Sequence, residues 1–362
     1  MEFHECYALD YAGARAKFRA AAQAAGAMLF SHTLAGHQGP RGEALCTDVA
    51  RFGRADAPRR LLVISGTHGL EGFAGSAAQI AWITTGEPAR LAADTAVVMV
   101  HAINPWGFAR LSRTTENNVD LNRNFIDHTA PHPANPAYEE LHGQLLRDDW
   151  STASLAAAQQ AMDDYVQRHG ADDLFDSLAR GQYTRPDGLN YGGSGREWSN
   201  LTMQAIADQH LAGADKIGFI DWHTGIGDYG QPFFLCFNEE GGALHAQAVR
   251  WWGRQAIEGQ RPHGRARPRY SGLLFHGVQS FVPQVPVCGA VVEFGTRGWH
   301  MRRILRLDLW LKFKAEAASE RKTMLRADLL DAFCPADQVW RDGTIAHALQ
   351  ITKQAVDGLQ SW

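Results

Sequence analysis

Five short runs constrain this chain most: "RLLVISG" (Arg60–Gly66), "AVVMVHAIN" (Ala96–Asn104), "KIGFIDWH" (Lys216–His223), "PFFLCF" (Pro232–Phe237) and "GAVVEFG" (Gly289–Gly295). They are β-branched, nearly all apolar, and bounded by glycine, proline or polar residues. Such runs suit strands covered on both faces, hence a largely parallel sheet. Helical patterns alternate with them at Phe73–Thr84, Leu244–Glu258 and Leu305–Phe333, and an alanine-rich helix is expected over Asp10–Ala25. Strands alternating with helices predict an α/β fold, a three-layer α/β/α sandwich with a mostly parallel central sheet.

The rhythm breaks between residues 127 and 215, where helical patterns such as "STASLAAAQQAMDDYVQRHG" and the loop "PDGLNYGGSGREWSN" intervene. We read 127–215 as a helical insertion packed on the sandwich and 301–362 as a C-terminal helical segment on it. With no flexible linker bracketing the insertion, 1–362 is expected to be one domain.

Of the 362 residues, 45% are apolar and 20% charged, enough for a large core. The net charge of −4 offers no general attraction to nucleic acid or to an anionic membrane. The basic cluster Arg261–Arg269 reads as a solvated, proline-broken loop, and Trp251 and Trp252 as packing residues on a helix. The five cysteines are scattered and odd in number, which argues against a disulfide framework and for a reducing compartment. The N-terminal stretch lacks the apolar core of a signal peptide and no run is long enough to span a membrane, so the cytoplasm is the expected location.

The chemistry starts at "SGTHGLEGFAG", Ser65–Gly75. Sixteen histidines supply about one H-x-x-E pair by chance, so His68 and Glu71 alone could be a helix cap and its first turn. They follow the end of a predicted strand, however, where ligands of open α/β sheets bind. A catalytic zinc needs three ligands drawn from His, Glu, Asp or Cys. His223 ends another strand, with Asp221 available as an outer acceptor; the alternative is a buried histidine bonded to backbone. Glu293 closes an apolar strand, as a general base would, or as the partner of Arg297. In "NNVDLNRNF", Arg123 could grip a carboxylate with Asn122 beside it, while Arg113 or Arg110 could face an oxyanion. The loop residues Tyr191 and Arg196 could reach substrate or sit on a surface turn. No G-x-S-x-G lies at a strand end, and "GGSG" (Gly192–Gly195) is a poor nucleophile elbow.

H-x-x-E, then N-P-x-G-F, then D-L-N-R-N-F, then a strand-end histidine and a strand-end glutamate, in that order, resemble the carboxypeptidase A-type zinc metallopeptidase superfamily. That superfamily includes the aspartoacylase and succinylglutamate desuccinylase deacylases. The resemblance spans His68 to Thr296 in five short motifs. It implies a zinc carboxypeptidase-like fold and one Zn2+ held by His68, Glu71 and His223. It further implies a free substrate carboxylate on Asn122 and Arg123, Glu293 as general base and acid, and an arginine on the scissile carbonyl, Arg113 or else Arg110. A tyrosine over the substrate would be Tyr270, with Tyr191 and Tyr229 as rivals. The implied activity is hydrolysis of an amide bond next to a free carboxylate in a small peptide. N-acyl amino acid deacylation is the alternative, since Glu71 and Arg123 stand closer together than in digestive carboxypeptidases. A non-catalytic carboxylate-binding relative is a third reading.

Overall fold

The computed structural model describes residues 3–259, 262–297, 301–316 and 319–362. Seven strands form one sheet: β1 (Met28–Gln38), β2 (Ala44–Phe52), β3 (Arg59–Ser65), β4 (Thr95–His101), β5 (Lys216–Tyr229), β6 (Pro232–Cys236) and β7 (Val287–Gly295), in the order β1-β2-β4-β3-β5-β7-β6. The four central strands, β4, β3, β5 and β7, run parallel, and β2 and β6 flank them antiparallel.

Side-chain alternation sorts the apolar runs onto two faces. Along β3, Leu61 and Val63 join one core with helices Tyr11–Ala24, Gly72–Thr84 and Gln338–Gln360. Leu62 and Ile64 join the other, with helices Trp198–His210 and Leu274–Phe281. Strands buried on both faces carry no polar stripe, which is why β3, β4 and β7 read as unbroken apolar runs. The three-layer sandwich follows.

Two strands were not expected. β1 is mostly exposed, and its sequence "MLFSHTLAGHQ" has neither an apolar run nor strict alternation. β2 is buried but includes Asp48, which is fully buried and ion-paired at 2.6 Å with both Arg15 and Arg19 of the first helix. Two expected helices are each divided. Leu244–Glu258 breaks at Gly253, at a φ of 89°, into Ala243–Trp252 and Arg254–Glu258. Leu305–Phe333 lies within two helices, Met301–Phe313 and Glu320–Phe333.

Between residues 127 and 215 run helices Pro136–Leu145, Thr152–His169 and Ala171–Ala179, whose apolar faces share a small core with Leu309 of helix Met301–Phe313. Of the basic loop, Arg261 lies outside the described residues. Arg265 pairs with Asp172, Arg269 with Asp176, and Arg267 bonds the Cys236 carbonyl. Trp251 and Trp252 pack in the core. The five cysteines are buried, and none of them forms a disulfide. No helix among the described residues is long and apolar enough to cross a membrane.

Candidate metal centre

The site forms just beyond the carboxyl end of β3 and on the carboxyl-terminal halves of β5 and β7; His223 does not end its strand as expected, because β5 runs on to Tyr229. Gly66, at a φ of 73°, turns the chain sharply out of β3. A short 3-10 turn, Gly69–Glu71, then lies against helix Pro105–Arg110; a Cβ on Gly69 would overlap the backbone of Gly107 and Phe108. Only glycine permits that approach, and it fixes where His68 and Glu71 point. His68 precedes the turn, yet its side chain makes no capping bond. In the parallel pair β5–β7, His223 stands directly opposite Glu293.

His68, Glu71 and His223 converge. Their donor atoms all lie within 4.8 Å of one another, and the residues are 5%, 2% and 1% exposed. Nδ1 of His68 lies 2.9 Å from Glu71 Oε1, and Nδ1 of His223 lies 2.8 Å from Glu71 Oε2. Each outer ring nitrogen faces a carboxylate: His68 Nε2 is 3.0 Å from Asp120, and His223 Nε2 is 2.9 Å from Asp221. A proton held at Nε2 leaves the Nδ1 lone pair facing inward, the arrangement that metal-binding histidines adopt. The Thr224 N–H donates to Glu71 at 3.1 Å, and Thr67 donates to Asp221 at 2.9 Å. Two imidazole nitrogens and a carboxylate, oriented from outside, fit a divalent cation.

The charges are strongly coupled. Burial pushes Glu71 up, but His68 and His223 outweigh it and hold the carboxyl below its usual range. Burial opposes a charge on His223, yet Asp221 and Glu71 raise its pKa well above the usual imidazole value. Asp120 is held low against burial by Arg113, Arg123 and His68. Glu293 differs. Burial and the charge of Glu71 push it up to about 7. Its hydrogen-bond partner among the described residues is the Ile226 N–H at 3.3 Å. Arg297, the alternative partner, pairs with Asp331 instead.

Arg113 joins the cluster. One Nη donates to Asp120 at 2.8 Å and to Asn190 at 3.1 Å, and the Arg113 backbone is tied to Asp308 and to the N–H of Gly69. Arg110 is exposed and bonded to the Gln38 carbonyl, away from the cluster. Asn122 lies 3.4 Å from His223 and accepts from the Leu274 N–H. The Arg123 guanidinium donates through Nε and Nη2 to the Ala179 carbonyl and through Nη1 to the Asn122 carbonyl, which leaves two of its N–H groups. Its Cζ lies 4.9 Å from the centre of the Tyr270 ring. Of the rival tyrosines, Tyr191 is buried and its carbonyl accepts from the Asp120 N–H, while Tyr229 is exposed and bonded to Asp337. Arg196 is engaged by Asn200 and Gln204.

Two residues of this cluster escaped sequence reasoning. Asp120 opens D-L-N-R-N-F, so its place in the motif was a usable signal. Asn190, in the glycine-rich loop, carried none.

The DUF2817 family profile, described as a protein of unknown function, matches residues 7–347. The chain belongs to the DUF2817 family. No curated protein matches it in sequence. Among solved structures, it is similar to bovine thrombin-activatable fibrinolysis inhibitor in complex with tick carboxypeptidase inhibitor. There the identity is 9%, the TM-score 0.52, and 98% of each chain is covered. Also similar are a metallo-carboxypeptidase from Pseudomonas aeruginosa (14% identity, TM-score 0.46, 95% of this chain and 68% of that one) and the carboxypeptidase A from Helicoverpa armigera (12%, 0.45, 89% and 73%). The first likeness runs the whole length of both chains, so this DUF2817 chain shares that fold.

Proposed function

We propose that the chain is a metal-dependent hydrolase that cleaves an amide bond beside a free carboxylate, as a metallocarboxypeptidase does. The observation that carries this reading is the convergence of two imidazole Nδ1 atoms and the Glu71 carboxylate on the carboxyl-terminal side of the sheet, with Glu293 directly across from His223. The ion is assigned as zinc from its N, N, O donor set. Bound there, zinc supplies Lewis acidity and acidifies a water toward a pKa of about 7. Glu293 takes the proton of the attacking water at its carboxylate and delivers it to the leaving nitrogen as the C–N bond breaks. Burial raises its pKa above the usual carboxylate range, the direction a group that both takes and returns a proton near neutrality needs. Arg113 presents positive charge to the developing oxyanion. The two remaining N–H groups of Arg123, with Asn122 alongside and the Tyr270 ring behind, hold the substrate carboxylate.

Metal analysis of protein purified with zinc should find close to one equivalent. Glu293→Gln should lower kcat by about 10²–10⁴-fold while retaining metal and substrate binding. Near-wild-type turnover in that variant would remove Glu293 from its role, and a metal content below half an equivalent would favour a non-catalytic carboxylate binder. The short separation of Glu71 and Arg123 supports a second reading, N-acyl amino acid deacylation. Assays on blocked dipeptides against acyl amino acids separate the two.

A further inference from the structure

A cavity of about 510 Å³ opens between the helices of residues 136–179 and helix Met301–Phe313. That volume suits a substrate side chain or acyl chain. Met162, Leu178 and Leu305 give it apolar walls, and four guanidinium groups line it: Arg265, Arg302, Arg303 and Arg306. Among the described residues no acidic side chain lines it. Arg265 pairs with Asp172 at 3.3 Å. Arg302 and Arg303 are exposed at its rim, with Asp163 near enough to act on Arg302 electrostatically, and buried Arg306 bonds the Leu145 carbonyl and lies over the Trp150 ring. Burial, Arg303 and Arg147 push Arg306 down to about 10. Like charges gathered on a partly apolar wall repel unless an anion joins them.

The cavity adjoins the proposed catalytic groups. Asn190, in its wall, accepts from Arg113, and Ala179, also in its wall, accepts from Arg123. Met301 lines it too, and the Met301 methyl and a Glu293 oxygen both lie within 4 Å of the point where Gly225 would carry a Cβ.

We propose that this cavity is a subsite for a carboxylate-bearing part of the substrate, beyond the carboxylate assigned to Arg123, so that the preferred substrate is acidic. The apolar walls take the methylene chain and the guanidinium groups take its charged end. The idea rests on the hydrolase reading for its context, but its test does not need turnover. Glutarate and its uncharged diamide, glutaramide, are titrated by NMR into the zinc-loaded full chain in phosphate-free buffer. Glutarate should bind saturably and at least tenfold tighter than glutaramide. Arg302→Met, at an exposed position, should weaken it at least fivefold, and Arg306→Met at least as much. Arg54→Met, at the opposite end of the sheet and paired with Asp56, should leave it unchanged. Equal binding of the two probes, or glutarate binding indifferent to both cavity variants, overturns the proposal. Displacement of glutarate by inorganic phosphate at a lower concentration than glutarate itself requires also overturns it, in favour of a phosphoryl group.

Blocked peptides carrying glutamate or glutamine at each position in turn complete the test. The glutamate form should be cleaved with at least tenfold higher kcat/KM at one position, and Arg302→Met should cut that glutamate-to-glutamine ratio at least fivefold. Selective glutarate binding without hydrolysis of any peptide would strike the hydrolase reading and leave this one standing. Hydrolysis without preference, together with unselective probes, would strike this one alone.

Discussion

At the residue scale, the site is organised from the outside inward. Asp120 and Asp221 hold the outer nitrogens of His68 and His223, so the inner nitrogens face Glu71. Removing one outer acceptor leaves the donors in place but frees the ring to rotate. Asp120→Asn should therefore weaken zinc binding by about 10–100-fold with the fold intact, measured by competition with a chromophoric chelator. An unchanged affinity would deny Asp120 that role. The same titration carries a pH signature. Asp221 and Glu71 keep a proton on His223 past neutral pH, and an incoming cation must displace it. Affinity should thus rise with pH, by about tenfold per unit while His223 is protonated, and binding should release a proton measurable by calorimetry in buffers of different ionisation enthalpy.

At the scale of elements, close packing positions these groups. Helix Gly72–Thr84 leaves the 3-10 turn and lies against β3 and β5 through Gly75, where an added Cβ would stand 2.8 Å from Ser65 Cβ and 3.2 Å from Trp222 Cβ. Gly75→Val should push the helix off the sheet. The expected loss is about 2–4 kcal/mol of stability, read as a lower urea midpoint, with weaker zinc binding because Glu71 sits at the helix start. A midpoint within experimental scatter of wild type would show that the helix adjusts freely. Edge strand β1 and its neighbour β2 were illegible for a related reason. β2 lies buried between β1 and β4, and its Asp48 is tolerated there because Arg15 and Arg19 of another element neutralise it. No local pattern records a partner some thirty residues away.

At the scale of the whole molecule, two buried histidines make the fold sensitive to acid. Burial first, against Asp48 and with Arg15, pushes His101 down to about 4. Burial together with Arg51, His32 and Arg60 does the same to His210. An unfolded chain protonates both near pH 6.5, so between pH 6.5 and 4 the unfolded state binds protons that the folded state refuses. Stability is full above about 6.5 and should fall by on the order of a few kcal/mol on acidification toward pH 4. His223, with its raised pKa, acts with the opposite sign and at higher pH. Urea midpoints of chelator-treated protein at pH 7, 6 and 5 check this, and a flat series would contradict it.

The sequence by itself determined the central architecture and picked out the three residues that converge as candidate metal ligands. Strands covered on both faces are written as apolar runs, and a buried polar side chain stands out against such a run, as His223 does in β5 and Glu293 in β7. H-x-x-E and D-L-N-R-N-F keep their spacing within single turns, so they too survive as local text. Only the tertiary structure placed Arg113 beside Asp120 and Arg110 out at the surface, and set the Tyr270 ring against Arg123, because those positions depend on which surface a side chain meets after folding. It alone brought Asp120 behind His68 and Asn190 beside Arg113. It alone gathered the arginines of helix Met301–Phe313 and Arg265 around one cavity with the helices of residues 136–179. Convergence of segments more than a hundred residues apart is set by how the layers pack, and no local periodicity encodes it.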